Sequence, residues 1–254
     1  MSLAGRCRQD LAGGASHGYS AGRLQPYIAA LAEAPLVRRQ AELLDRIIAR
    51  PALHARMLNT LSRLEYVGVR KMLKSRHADG LDLDGLQHIL DETVHALRLK
   101  KAALALAPAH HPVATYGGGD TLAGEAGEDY IQGVDRAAEA ALADLPEQRR
   151  GEVNYLLTSA AIEVRAQAFY PLYETRLRAA GVAVSVAAIM RDEDRHLAEM
   201  AERLEAALPG WRRRLEAVLA AEAPLFATFV DALDGAAAAG LEAPVAEATL
   251  RARS

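Results

Sequence analysis

Two pentapeptides in this 254-residue chain share a pattern: Asp91-Glu92-Thr93-Val94-His95 and Asp192-Glu193-Asp194-Arg195-His196. On a helix of 3.6 residues per turn, a Glu and a His three positions apart point about 60° from one another, so both heads reach a single metal ion. A further carboxylate precedes each copy at a distance that fits an up-and-down helix pair. Glu65 stands 27 residues before Glu92, and Glu163 stands 30 residues before Glu193. Four carboxylates and two imidazoles, with no thiolate, form a donor set that suits iron or manganese and leaves positions open for oxygen. One Glu-x-x-His is a weak motif, because helices are rich in Glu and a core His is often only hydrogen-bonded. Two copies, each with an in-register Glu one helix earlier, form a specific constellation.

The order Glu, Glu-x-x-His, long crossover, Glu, Glu-x-x-His resembles the ferritin-like di-iron carboxylate superfamily over roughly residues 54–204. The Asp before each Glu is similar to its oxygen-activating branch: ribonucleotide reductase small subunits, bacterial multicomponent monooxygenases and acyl-carrier-protein desaturases. The resemblance implies an all-α, ferritin-like four-helix bundle with one long crossover and additional N- and C-terminal helices. It implies metal ligands Glu65, Glu92, His95, Glu163, Glu193 and His196, with Glu92 and Glu193 bridging and Glu65 and Glu163 terminal. It gives Asp91 and Asp192 the role of accepting a hydrogen bond from the ligand His of the opposite half-site, which fixes the imidazole tautomer. Two iron ions, or a manganese–iron pair, would activate O2 to hydroxylate, desaturate or N-oxygenate a small organic substrate. A reductant or electron-donor protein would supply electrons, and a homodimer is compatible with this scheme.

The chain also departs from those branches. Leu99, four residues after His95, is not a Tyr, so the tyrosyl-radical arrangement is not supported. No Thr follows Glu163 by three or four residues, where monooxygenases and desaturases often place one; Ala166 and Gln167 stand there, and Gln167 is the candidate for an oxygen-side hydrogen bond. Two other classes stay open. One is iron handling, as a ferroxidase and storage subunit or a rubrerythrin-like peroxide scavenger, although a Cys-x-x-Cys module is missing. The other is a metal-free helical interaction protein.

The elements that must position these residues follow from composition and periodicity. Abundant Ala, Leu, Glu and Arg, few aromatics and no hairpin turn chemistry predict an all-α protein. A net charge of −3 offers no basic footprint for nucleic acid. The single cysteine, Cys7, excludes an internal disulfide or a thiolate cluster and points to a cytoplasmic protein; the longest apolar run, near Val182 to Met190, is too short for a membrane span. Residues 1–23 read as a flexible leader, 24–234 as one helical di-metal domain and 235–254 as an Ala-rich tail.

Within that domain, a short amphipathic helix is predicted over Pro35–Arg50. Pro51 opens the first core helix, in which Glu65 sits in an apolar stripe with Leu58, Leu61, Val69 and Met72. A carboxylate there calls for a metal, or for pairing with Arg63 or Arg70. Residues 75–84 form a turn with Gly80, and Asp84 is the expected N-cap of a second core helix over 85–106. There His88 lies one turn before Glu92, as a polar rim residue, a substrate contact or a further ligand. Thr115-Tyr116-Gly117-Gly118-Gly119-Asp120 is a connection or lid and lacks the context of a nucleotide loop; His110 and His111 fall on the surface. A crossover helix is expected near 129–142, core helices over 152–179 and 185–208, and an outer helix over 211–233. Pro171 should kink the third core helix, and Ala102, Ala103, Ala160 and Ala166 leave room near the ligands.

Overall fold

The computed structural model describes residues 22–75 and 81–242, and the described residues contain eight α-helices and no strand. Cys7, Gly80, most of the leader and residues 243–254 lie outside them. The helices are α1 (Gln25–Ala32), α2 (Leu36–Ile48), α3 (Pro51–Ser75), α4 (Leu83–Leu106), α5 (Gly124–Ala141), α6 (Glu147–Ala179), α7 (Ala187–Ala207) and α8 (Trp211–Glu242). No described helix is long and apolar enough to cross a membrane.

Four of these helices carry the two motifs and their upstream carboxylates. α3 and α4 run antiparallel: Asn59 meets Lys100, Ser62 Oγ donates to the Ala96 carbonyl, and Gly68 lies against Glu92. α6 and α7 are likewise antiparallel, with Glu152 paired to Arg203, Gln167 to the Met190 carbonyl and Glu174 to the Val186 amide. The two pairs meet where α3 packs on α6 and α4 on α7. Glu65, Glu92, Glu163 and Glu193 therefore converge from four different helices.

The remaining helices wall in this arrangement. α5 and α8 form a third antiparallel pair, close because Gly127 and Gly133 have no side chain: a Cβ at Gly133 would lie 2.8 Å from Leu225, and one at Gly127 3.1 Å from Phe229. α2 buries Leu43, Leu44, Ile47 and Ile48 and is tied down at its rim by Arg39 and Arg46 to Asp234 and by Asp45 to Arg176.

Several boundaries differ from the sequence expectation. Asp82, not Asp84, caps α4, accepting from the Gly85 amide at 2.8 Å; Asp84 falls inside the first turn. α1 was not expected, and it starts where Pro26 occupies the first turn of a mainly apolar segment. α8 continues through the Ala-rich stretch to Glu242, past the expected end at 233, because Ala is the strongest helix former even where no polar pattern marks a face. α6 runs unbroken through Pro171.

Candidate metal centre

The six expected ligands come together, and His88 joins them. Two groups of donor atoms form, each with its atoms within 4.8 Å of one another: Glu65, Glu92, His95 and Glu193, and His88, Glu92, Glu163 and His196. Glu92 belongs to both. Glu193 also reaches across, with Oε1 3.2 Å from His95 Nδ1 and Oε2 3.0 Å from His196 Nδ1. In the second group His196 Nδ1 lies 3.4 Å from Glu92 Oε1 and 3.9 Å from Glu163 Oε1. His88 Nε2 lies 3.3 Å from Glu92 Oε1 and 3.7 Å from Glu163 Oε1, with its ring centroid 4.1 Å from that of His196 and the two rings tilted by 35°.

Behind the imidazoles, the two aspartates cross over as expected. His95 Nε2 lies 3.1 Å from Asp192 Oδ2, and His196 Nε2 lies 3.3 Å from Asp91 Oδ2. Arg195 pairs with Asp91, and Arg98 lies 3.5 Å from Asp192, so each carboxylate is held from outside as well. An Nε2–H that donates outward to Asp leaves the Nδ1 lone pair of a neutral imidazole facing inward. Inward, each Nδ1 faces carboxylate oxygens, which are also acceptors.

Acceptors facing acceptors need a proton or a cation between them. Two atoms at the centre, Glu92 Oε1 and His95 Nδ1, are buried with no hydrogen-bond partner, although nitrogen or oxygen atoms lie 3.2–4.0 Å away. Without a metal, protons must fill the gap. Burial first, then the charges of neighbouring carboxylates, pushes the Glu65 and Glu163 carboxyls well above the usual range. Burial would raise Glu193 too, but hydrogen bonds from Glu163 and His196 and the closeness of His95 outweigh it and hold Glu193 well below. Burial disfavours the His95 imidazolium, yet Glu193, Glu65 and Glu92 together push its pKa up to about 10, and His196 is raised in the same way. A divalent cation held by these donors would replace several protons at once.

Further contacts fix individual donors. Tyr170 donates to Glu65 Oε1 at 2.6 Å; Arg63 and Arg70 pair with Glu128 instead, so the expected alternative partners of Glu65 are engaged elsewhere. Tyr155 OH lies 3.1 Å from His88 Nδ1, and if its oxygen accepts from Nδ1–H, His88 Nε2 turns a lone pair inward. Gln167 is directed away: its amide nitrogen donates to the Met190 carbonyl and to Asp194 Oδ1, both at 2.9 Å, so both of its N–H groups are used outside the cluster. The Gly-rich stretch is anchored to α3 and α4. Asn59 donates to the Thr115 and Asp120 carbonyls, and Tyr116 OH meets Ser62 Oγ. His110 and His111 are exposed.

An apolar cavity of about 140 Å³ opens beside the cluster. All four glutamates line it, together with Leu43, Ile47, Met57, Leu61, Ala166 and Phe229, among others. No family model, no curated protein and no solved structure matches this chain.

Proposed function

We propose that this chain is a dinuclear non-haem iron oxidase or oxygenase of the ferritin-like di-iron kind, using O2 to oxidise a small, mainly apolar organic substrate. Manganese can stand in for one iron, since the same donors accept either ion. One observation carries the reading: four clustered carboxylates, which share their donor groups with two outward-anchored imidazoles, line one apolar cavity. An iron-storage protein has no need of such a chamber. A metal-free interaction protein has no use for buried acceptors that face one another.

The chemistry a bound iron pair supplies is electron transfer to dioxygen and the oxidising power that results. The chain's own residues do the rest. Asp91 and Asp192 keep His196 and His95 in the tautomer that presents Nδ1 inward. Tyr170 holds Glu65 by one oxygen and leaves the other free to change its binding mode. Glu92 and Glu193, each within reach of both motif histidines, would be shared between the two ions, and Glu65 and Glu163 would each serve one of them. The aliphatic and aromatic wall excludes water and orients C–H bonds toward the carboxylates. An external reductant returns the electrons.

The test is oxygen uptake by protein loaded anaerobically with ferrous iron, with product analysis by mass spectrometry over a panel of small apolar compounds. Expected is uptake that depends on iron, together with a product carrying one more oxygen or two fewer hydrogens, both lost in Glu163→Ala. Uptake that yields only ferric mineral, or none at all, contradicts the reading.

A further inference from the structure

We propose that the cavity takes a neutral, mainly apolar molecule with a single hydrogen-bonding head, and that this head docks on Gln40. This deepens the oxidase reading by naming its substrate class, and it rests on that reading for the oxidation but not for the binding. Gln40 comes from α2, a helix that supplies none of the cluster residues, yet it lines the same cavity as Glu65 and Glu163. It is 5% exposed, and its amide makes no hydrogen bond to any described residue. A buried amide without a partner is costly, and one that faces a cavity is relieved by a ligand that can donate to it or accept from it.

The charge around the cavity selects a neutral head. The cations on its wall are committed: Lys71 pairs with Asp135, and Arg165 with Glu222 at 2.7 Å. With both of these committed, a carboxylate on Gln40 would have no lysine or arginine to pair with, whereas a hydroxyl or carboxamide matches the amide. The volume is close to that of an engineered cavity of about 150 Å³ that binds benzene, so the body has on the order of six to ten non-hydrogen atoms.

Benzyl alcohol, toluene and benzoate are suitable probes, titrated by calorimetry or NMR into the full chain, both metal-free and loaded anaerobically with iron. In the metal-free protein the expected order is benzyl alcohol tighter than toluene by about fivefold, the net worth of one hydrogen bond, with benzoate weakest. Gln40→Leu should still bind toluene, which shows that the cavity is intact, and should lose the preference for the alcohol. Equal affinity for toluene and benzyl alcohol, benzoate binding tightest, or no binding of any probe overturns the proposal. Probe binding by a protein that takes up no iron upholds this inference and removes the oxidase. Iron uptake without probe binding does the reverse.

A different observation carries a second proposal: we infer that α4 is the contact helix of a homodimer, paired antiparallel with α4 of a second copy. Leu83, Leu90, Leu97 and Leu104 recur every seven residues on its outer face and are 77, 54, 51 and 47% exposed; Leu86, at 52%, lies beside them. A sustained seven-residue leucine stripe is the pattern by which one helix packs on another. Tyr66 and Leu73, exposed on the adjacent α3, widen the apolar face. Charge sets the direction, because on the exposed face the first half of α4 bears Asp84 and the second half bears Arg98 and Lys101. A two-fold axis near Thr93 sets Leu83 against Leu104 and Leu90 against Leu97 of the other copy, with acidic halves opposite basic ones. A parallel pairing would oppose like charges.

Light scattering on the full chain should give twice the chain mass. Leu90→Glu with Leu97→Glu should give the monomer at unchanged helical circular dichroism. Asp84→Lys should weaken the dimer by about threefold, and adding Lys101→Asp should restore it. A monomeric wild type at tens of micromolar, or a dimer that survives the double Glu substitution, overturns the proposal.

Discussion

Two groups of buried charge lie against the same cavity and are built in opposite ways. In one, Arg165 gives Glu222 two parallel bonds of 2.8 and 2.7 Å, Tyr130 adds a third at 2.8 Å, and every formal charge has its counterpart within the chain. In the other, four carboxylates and three imidazoles face one another, two central atoms have no partner, and the nearest arginines, Arg98 and Arg195, stand outside, behind the aspartates. The first group is complete as folded. The second becomes complete only when protons or cations come from outside, and that incompleteness is what marks it as a site.

The largest expected effect breaks the complete group. Arg165→Met leaves Glu222 buried without its cation and should cost about 3–5 kcal/mol in urea denaturation, whereas Arg165→Met with Glu222→Met should recover most of that loss. A comparison of two histidines comes next. His54, bonded to Tyr173 at 2.6 Å, is pushed down by burial to about 4, the opposite of His95. Its folded pKa lies below the unfolded value, so the unfolded chain binds the extra proton between them. Stability from this source is fully present above about pH 6.5 and is lost on acidification toward pH 4, by roughly 3 kcal/mol, and His54→Gln should flatten that slope in pH-dependent denaturation of the metal-free protein.

Smaller effects sharpen the contrast from the cluster side. Asp192→Asn can no longer accept the His95 proton as a charged partner and should weaken metal binding by about 10–100-fold in competition with a chelator. Glu163→Gln should change the stability of metal-free protein by less than about 1 kcal/mol, because burial and the neighbouring carboxylates favour the neutral acid, which the amide matches in shape and charge. A carboxylate that matters little to the fold and much to metal binding is the signature expected of a ligand.

Much of the cluster was legible because its residues obey helical spacing. Glu65 stood out as a carboxylate within an apolar stripe, and the paired Asp-Glu-x-x-His gave Glu92, His95, Glu193 and His196 as candidate donors together with the crossed aspartates. His88 was visible as the residue one turn before Glu92, but a lone His reads equally well as a polar rim residue, and only the arrival of Glu163 and His196 from α6 and α7 gives it donors to join. Gln40 and the Arg165–Glu222 pair depend on α2 and α8 packing over the cavity, and no local pattern in the sequence encodes those contacts. The end of α8 was missed for the opposite reason: an Ala-rich run has no amphipathic pattern to read, although its intrinsic propensity is the highest available. Gln167 shows the limit of analogy, since its place in the sequence matched an oxygen-side role while its amide bonds to Met190 and Asp194.

The most direct test of the central claim is the metal content of the full chain after anaerobic ferrous loading and desalting, measured by plasma emission beside Glu92→Gln, which removes the carboxylate shared by both donor groups. The account predicts about two ions per chain in the wild type and a loss of both in the variant. Retention of no iron by the wild type, or equal retention by Glu92→Gln, would contradict it.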